Sequence, residues 1–147
     1  MKRILLSLFL CTGIFLQAQS IDYNTKKGYV ANGYDVVSYF EGKPQEGIKD
    51  ITTEYDGVSY KFSSHEHLIE FKANPKKYIP QYGGYCAYAV AVTGKKVNIN
   101  PETFEIRDGK LFLFYNAGKT NTLELWQKES PEVLIPEADK NWEKIKN

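Results

Sequence analysis

Ile51-Thr52-Thr53-Glu54-Tyr55-Asp56-Gly57-Val58-Ser59-Tyr60-Lys61-Phe62-Ser63-Ser64-His65-Glu66 holds two strand signals, a turn and a helix start in one run. Ile51–Tyr55 and Val58–Phe62 are rich in β-branched and aromatic residues, which suit a pleated, half-buried surface. Asp56-Gly57 between them is the strongest short-range hairpin signal a sequence offers. Val58, Tyr60 and Phe62 alternate with Ser59 and Lys61, so the second strand has one wet face. Ser63-Ser64-His65-Glu66 matches a capping box, with Ser63 as N-cap and Glu66 reaching back. The helix runs to about Ala73, because Pro75 disfavours helical geometry at Asn74. Leu68 and Phe71 share its core face, His67 lies beside that face, and His65 points to solvent.

Downstream, Pro75–Pro80 leads into Gln81-Tyr82-Gly83-Gly84-Tyr85-Cys86-Ala87-Tyr88-Ala89-Val90, and Tyr85–Ala91 reads as a short buried helix. Thr93–Pro101 is a loop. Thr103–Arg107, the turn Asp108-Gly109 and Lys110–Tyr115 form a second hairpin. Leu111-Phe112-Leu113-Phe114 is apolar on both faces, as in a strand covered on both sides. A helix from about Thr120 to Lys128 carries Leu123, Leu125 and Trp126. Ser130-Pro131-Glu132 opens another, with serine as N-cap and proline in the first turn; Ala138, Trp142 and Ile145 stripe it. Upstream, Gly33–Phe40 is a short strand or a single helical turn, Glu41-Gly42-Lys43-Pro44 is a turn, and Ser20–Asn32 is a poorly ordered or edge segment. The class is α+β: a small antiparallel sheet of two hairpins packed against several short helices.

The first residues read differently. Lys2 and Arg3 precede the apolar run Ile4–Leu16, and Gln17-Ala18-Gln19 supplies a small residue for cleavage after Ala18. This is the form of a secretory signal peptide, too short to span a bilayer, which takes about 20 apolar residues. A lipoprotein signal at Cys11 is disfavoured by Leu10, where a small residue is wanted. Residues 1–18 are therefore the signal and 19–147 a single domain, periplasmic or secreted, with no transmembrane anchor. Loss of Lys2 and Arg3 takes the 19 basic residues to 17 against 18 acidic ones, a formal charge of −1. No basic stripe marks a nucleic-acid partner. Cys11 leaves with the signal, so Cys86 has no intramolecular partner.

No phosphate loop, dinucleotide fingerprint or nucleophile elbow is present, and the reading is non-enzymatic. A free cysteine is most often a small core residue; it is also a metal ligand or nucleophile where its thiolate is favoured. Thiolate plus imidazole suits copper(I) or zinc. His65 and His67, two apart on a helix, diverge, so the metal-ligand pair is Cys86 with His67. A partly buried histidine at the helix start is the commoner use of such a residue. Tyr78, Tyr82, Tyr85 and Tyr88 offer a second possibility, a tyrosine-rich pocket for a small ligand or protein partner, with Tyr82, Tyr85 and Tyr88 as its contacts. Tyrosines used as large core residues are more common.

The segment from Asp56-Gly57-Val58-Ser59-Tyr60-Lys61-Phe62-Ser63-Ser64 through Phe71-Lys72-Ala73-Asn74-Pro75-Lys76-Lys77-Tyr78 resembles the YHS domain, whose core is a hairpin ending in Tyr-x-Phe followed by a helix ending in Phe-x-x-x-Pro-x-x-Tyr. With Gly33-Tyr34-Asp35, Tyr82–Ala89 and Asp108–Leu113 added, the resemblance to exported bacterial YHS-domain proteins spans nearly the whole mature chain. It implies a metal-related role in transport or homeostasis, with cysteine ligands. The cysteine after the Asp-x-x start corresponds to Ser38, and the two flanking the helix start correspond to Ser63 and His67. Hydroxyls are poor ligands for soft metals, so the resemblance carries over His67 alone from that trio, with Cys86 from the exported subgroup's own motif.

Overall fold

The structure is a computed structural model, described for residues 20–147; the expected signal peptide and Cys11 lie outside the described residues. Strands β1 (Thr25–Lys26) and β2 (Tyr29–Val30) form a small hairpin. Single 3-10 turns follow at Ala31–Gly33 and Ser38–Glu41. Then come β3 (Thr52–Tyr55), β4 (Val58–Lys61), α1 (His65–Ala73), α2 (Pro75–Tyr78), α3 (Ala87–Thr93), β5 (Asn100–Arg107), β6 (Lys110–Phe114), β7 (Asn116–Ala117), β8 (Thr120–Asn121), α4 (Thr122–Lys128) and α5 (Pro131–Ile145). The fold is α+β. No helix among the described residues is long and apolar enough to cross a membrane.

Both Asp-Gly hairpins form where turn chemistry puts them. Asp56 and Gly57, like Asp108 and Gly109, all have positive φ, as a type I′ turn requires. The pairs Tyr55↔Val58 and Arg107↔Lys110 close the ladders. The hairpins do not share one sheet, however. β3 and β4 belong to a four-stranded sheet in the order β1-β2-β4-β3, and β5–β6 stands apart. Ser20–Asn32 is thus an ordered edge hairpin, joined to β4 by a parallel Tyr29↔Ser59 pairing. It is held there by Val30, which is fully buried.

The separation follows from β6. Leu111 and Leu113 enter one core, with Val36, Tyr39, Tyr60, Phe62 and Phe71. Phe112 and Phe114 enter a second, with Tyr82, Trp126 and Leu134. All four are 2% exposed or less, each contributing about 1.5–3 kcal/mol of transfer free energy. The free edge of β6 is taken by a parallel bridge from Cys86 to Leu113, so no strand of the other sheet can pair there. Tyr82–Ala91 lies between the cores, giving Cys86 and Ala89 to the first and Tyr82, Ala87 and Val90 to the second.

Two local readings shift. The N-cap of α1 is Ser64, whose side chain accepts from the His67 N–H at 3.1 Å; Ser63 is drawn away by Asp35. Ser130 stands at the start of α5 before Pro131, but its hydroxyl donates to Glu132 and caps no backbone N–H. The small hairpin β7–β8, over Gly118, has no counterpart among the sequence signals.

Candidate functional site

Asp35 organises the first candidate site. Its carboxylate is fully buried and accepts from five donors. Oδ1 takes the backbone N–H groups of Val37 at 2.9 Å and Ser38 at 3.4 Å. Oδ2 takes the Ser63 N–H at 2.8 Å, the Ser63 hydroxyl at 2.6 Å and His67 Nδ1 at 2.6 Å. The far nitrogen of His67, Nε2, meets the exposed Glu41 at 3.2 Å. The Ser64 cap orients this imidazole, because it sets the first turn of α1 with His67 at its third position.

Both His67 nitrogens face carboxylate oxygens, an arrangement that favours the doubly protonated imidazolium, in which both donate. Burial is the largest single influence on its pKa and works against the charge. The Asp35 hydrogen bond and charge, with Glu41 behind them, outweigh it and raise the pKa above the ordinary imidazole value. An imidazolium held this way has no lone pair for a metal.

The positions that the YHS resemblance equates with metal ligands do converge. Ser63 and His67 reach the Asp35 carboxylate by their side chains, and Ser38 reaches it by its backbone N–H while its hydroxyl donates to the Asp35 main-chain carbonyl at 2.6 Å. What they build is a hydrogen-bond network of two hydroxyls, a carboxylate and an imidazolium. That donor set does not fit a soft metal.

Cys86 is elsewhere and sealed. Its exposure is zero. Its backbone bonds to Val97 and Val90, and its Sγ lies 3.3 Å from Thr122 Oγ1. The Thr122 hydroxyl donates its only hydrogen to the Tyr115 carbonyl at 2.8 Å. The Cys86 S–H is therefore the donor of the pair. Metal and nucleophile chemistry both need access to the sulfur, and this one is shut off from solvent. Cys86 and His67 share no bonding partner, and among the described residues no group of three or more His, Cys, Asp or Glu side chains is arranged to hold a metal ion. His65 is exposed on α1.

The three tyrosines diverge. Tyr88 donates to Glu129 at 2.7 Å, and that bond, with partial burial, pushes its phenol pKa up to about 12. Tyr85 donates to Asp22 and lies against Trp142, with 6.4 Å between ring centroids. Tyr82 is nearly buried and donates to Asp139 at 2.9 Å; burial first, then the Asp139 charge, raises its pKa strongly. Tyr78 is buried in the first core.

Tyr82 lines a cleft. The cleft holds about 290 Å³ between Ile21–Tyr23, the segment Ile79–Gly83 and one face of α5. Tyr23, Tyr82 and Trp142 are its rings, and Asp139 and Glu143 its charged groups. The Trp142 ring can lie across the chain only because residue 83 is glycine. A Cβ there would stand 2.9 Å from the indole and 3.0 Å from the Asp22 carbonyl, and the backbone φ is +59°. Sequence reasoning placed Trp142 in an apolar stripe and gave no role to Tyr23, Asp139 or Glu143. The spacing of Asp139, Trp142 and Glu143, three and four apart, was the available signal, since it puts them on one helix face.

No family model matches the sequence, and comparison with curated proteins and with solved structures finds no match.

Proposed function

We propose that this chain is an exported, non-enzymatic binding module of YHS-like type, which holds a small ligand in the cleft between Tyr82 and α5. The observation that carries the reading is the cleft itself: three aromatic side chains and two carboxylates around about 290 Å³. That volume is at the lower bound of ligand sites, roughly 300–1,000 Å³, so the fitting ligand is small. Binding sites combine apolar walls with a few placed polar groups, and this cleft has that composition. The YHS kinship is supported by the meeting of Ser38, Ser63 and His67 on Asp35. Export rests on the sequence of residues 1–18, and N-terminal sequencing of protein recovered outside the cytoplasm tests it. Copper or zinc binding through Cys86 and His67 has less support, because the thiol is sealed and the imidazole is held between two carboxylates.

The test is a screen of small fragments by saturation-transfer NMR against the purified protein, repeated on Trp142→Leu. Fragments that bind and are lost in the variant support the reading. A screen in which no binding depends on Trp142 overturns it.

A further inference from the structure

We propose that the ligand of this cleft is a small organic cation of the alkylammonium class. The inference rests on the binding-module reading above and adds the chemistry of the ligand.

The charges around the cleft are asymmetric. Asp139 and Glu143 line it, and no lysine or arginine does among the described residues. Both carboxylates are exposed. Glu143 is partly neutralised by Lys146 at 2.6 Å. Among the described residues no cation pairs with Asp139; Tyr82 donates to its Oδ1, and its other oxygen is not spent on that bond. An anionic ligand would meet like charge here, whereas a cation gains from it.

The aromatic walls select the kind of cation. Tyr82 and Trp142 stand edge to face, with centroids 6.3 Å apart at 68°. Trp142 and Glu143 lie three and four residues after Asp139 on α5, so Asp139 shares a helix face with each of them, and all three line the cleft. Indole and phenol faces attract cations within about 6 Å, best where water is excluded. The cluster already does this at its rim. Lys96 Nζ lies 5.8 Å from the Tyr85 centroid and 6.0 Å from that of Trp142, and is held there by Asp22 at 2.9 Å. Lys96 does not line the cleft, so it leaves the seat itself open to a second cation. A bare metal ion is disfavoured, because two carboxylates, one of them bound to Lys146, fall short of the six or more oxygens a hard cation takes. A weakly hydrated alkylammonium suits aromatic walls with acidic flanks.

Choline and its uncharged tert-butyl analogue, in which carbon replaces the ammonium nitrogen, are titrated against the purified protein by intrinsic fluorescence. Trp142 is partly buried at the cleft and Trp126 is fully buried, so the response reports the cleft. Choline is expected to bind at least about tenfold more tightly than the analogue. Asp139→Asn, which keeps an acceptor for Tyr82, should weaken choline about fivefold, and Glu143→Gln by less. Trp142→Leu, shown folded by circular dichroism and titrated by calorimetry because it lacks the reporting indole, should lose choline binding. Equal affinity for choline and the analogue overturns the cation inference and leaves the cleft reading standing. So does a Trp142-dependent neutral fragment from the screen when choline does not bind. If neither choline nor any fragment engages Trp142, the cleft reading falls and this inference with it.

Discussion

Replacing Asp35 by asparagine removes a charge and one acceptor with almost no change of shape, so its cost isolates the hydrogen-bond network. In the native protein Oδ2 faces the Ser63 N–H, the Ser63 hydroxyl and His67 Nδ1, and Oδ1 faces the Val37 N–H. An amide has one oxygen and one NH2. If the NH2 takes the Oδ2 position it meets the Ser63 N–H, donor against donor. If it takes the Oδ1 position it meets the Val37 N–H. One backbone donor loses its acceptor in either orientation, at about 1–3 kcal/mol. The charge-assisted bond to His67 is lost as well, and such bonds contribute about 1.5–3 kcal/mol. The two terms share atoms and do not simply add; a loss of about 3 kcal/mol is expected, or roughly 10 °C in Tm. Urea unfolding followed by circular dichroism measures it, with Asp35→Ala expected to lose about as much or more. A double-mutant cycle with His67→Ala should return a coupling above about 1 kcal/mol. If Asp35→Asn unfolds within 0.5 kcal/mol of the wild type, a figure on the order of a surface substitution, the carboxylate is not the organiser described above.

His67 sets a pH dependence with a definite sign. Its folded-state pKa is raised, so its contribution is fully present below the unfolded imidazole value of about 6.5 and is lost as pH rises through the folded value. Urea midpoints from pH 5 to 9 should show that decline, and His67→Ala should flatten it. Cys86 should resist thiol reagents in the native protein and react on unfolding; Cys86→Ser should keep the fold at a cost of about 1–2 kcal/mol, because Thr122 still accepts from the new hydroxyl. Native-state labelling as fast as in urea would contradict the sealed thiol. Gly83→Ala should cost about 2–4 kcal/mol, from overpacking against Trp142 and a left-handed backbone, and should shift Trp142 fluorescence. An unchanged emission spectrum would contradict the close approach.

The features legible in the sequence are those whose physics is local. Asp56-Gly57 and Asp108-Gly109 specify their turns because positive φ is a property of those residues and their neighbours. The end of α1 at Ala73 follows from Pro75, and the double burial of β6 follows from four consecutive apolar side chains, which alternate between two cores. The solvent-facing His65 and the sideways-facing His67 follow from helical spacing. That Cys86 would serve as a small core residue was the commoner of its two sequence readings, and its burial agrees with that reading.

What only the tertiary structure decided depends on residues far apart in the chain. Local grounds favour Ser63 as the cap, because Glu66 stands three residues on. Asp35, 28 residues upstream of Ser63, takes Ser63 and leaves Ser64 as the cap. The partner of His67 is 32 residues away, and nothing in the pattern around either residue singles it out from the other carboxylates. The tyrosines that cluster in sequence separate in space because a 3-10 turn at Gln81–Gly84 and the start of α3 send successive side chains to Asp139, Asp22 and Glu129. The cleft joins Ile21–Tyr23, Tyr82 and α5, and its chemistry exists only once the chain has brought them together. Dihedral preference and alternation act within a few residues, so a sequence states them directly. Pairing between distant residues is settled by how two cores pack around β6, and that is a property of the folded chain.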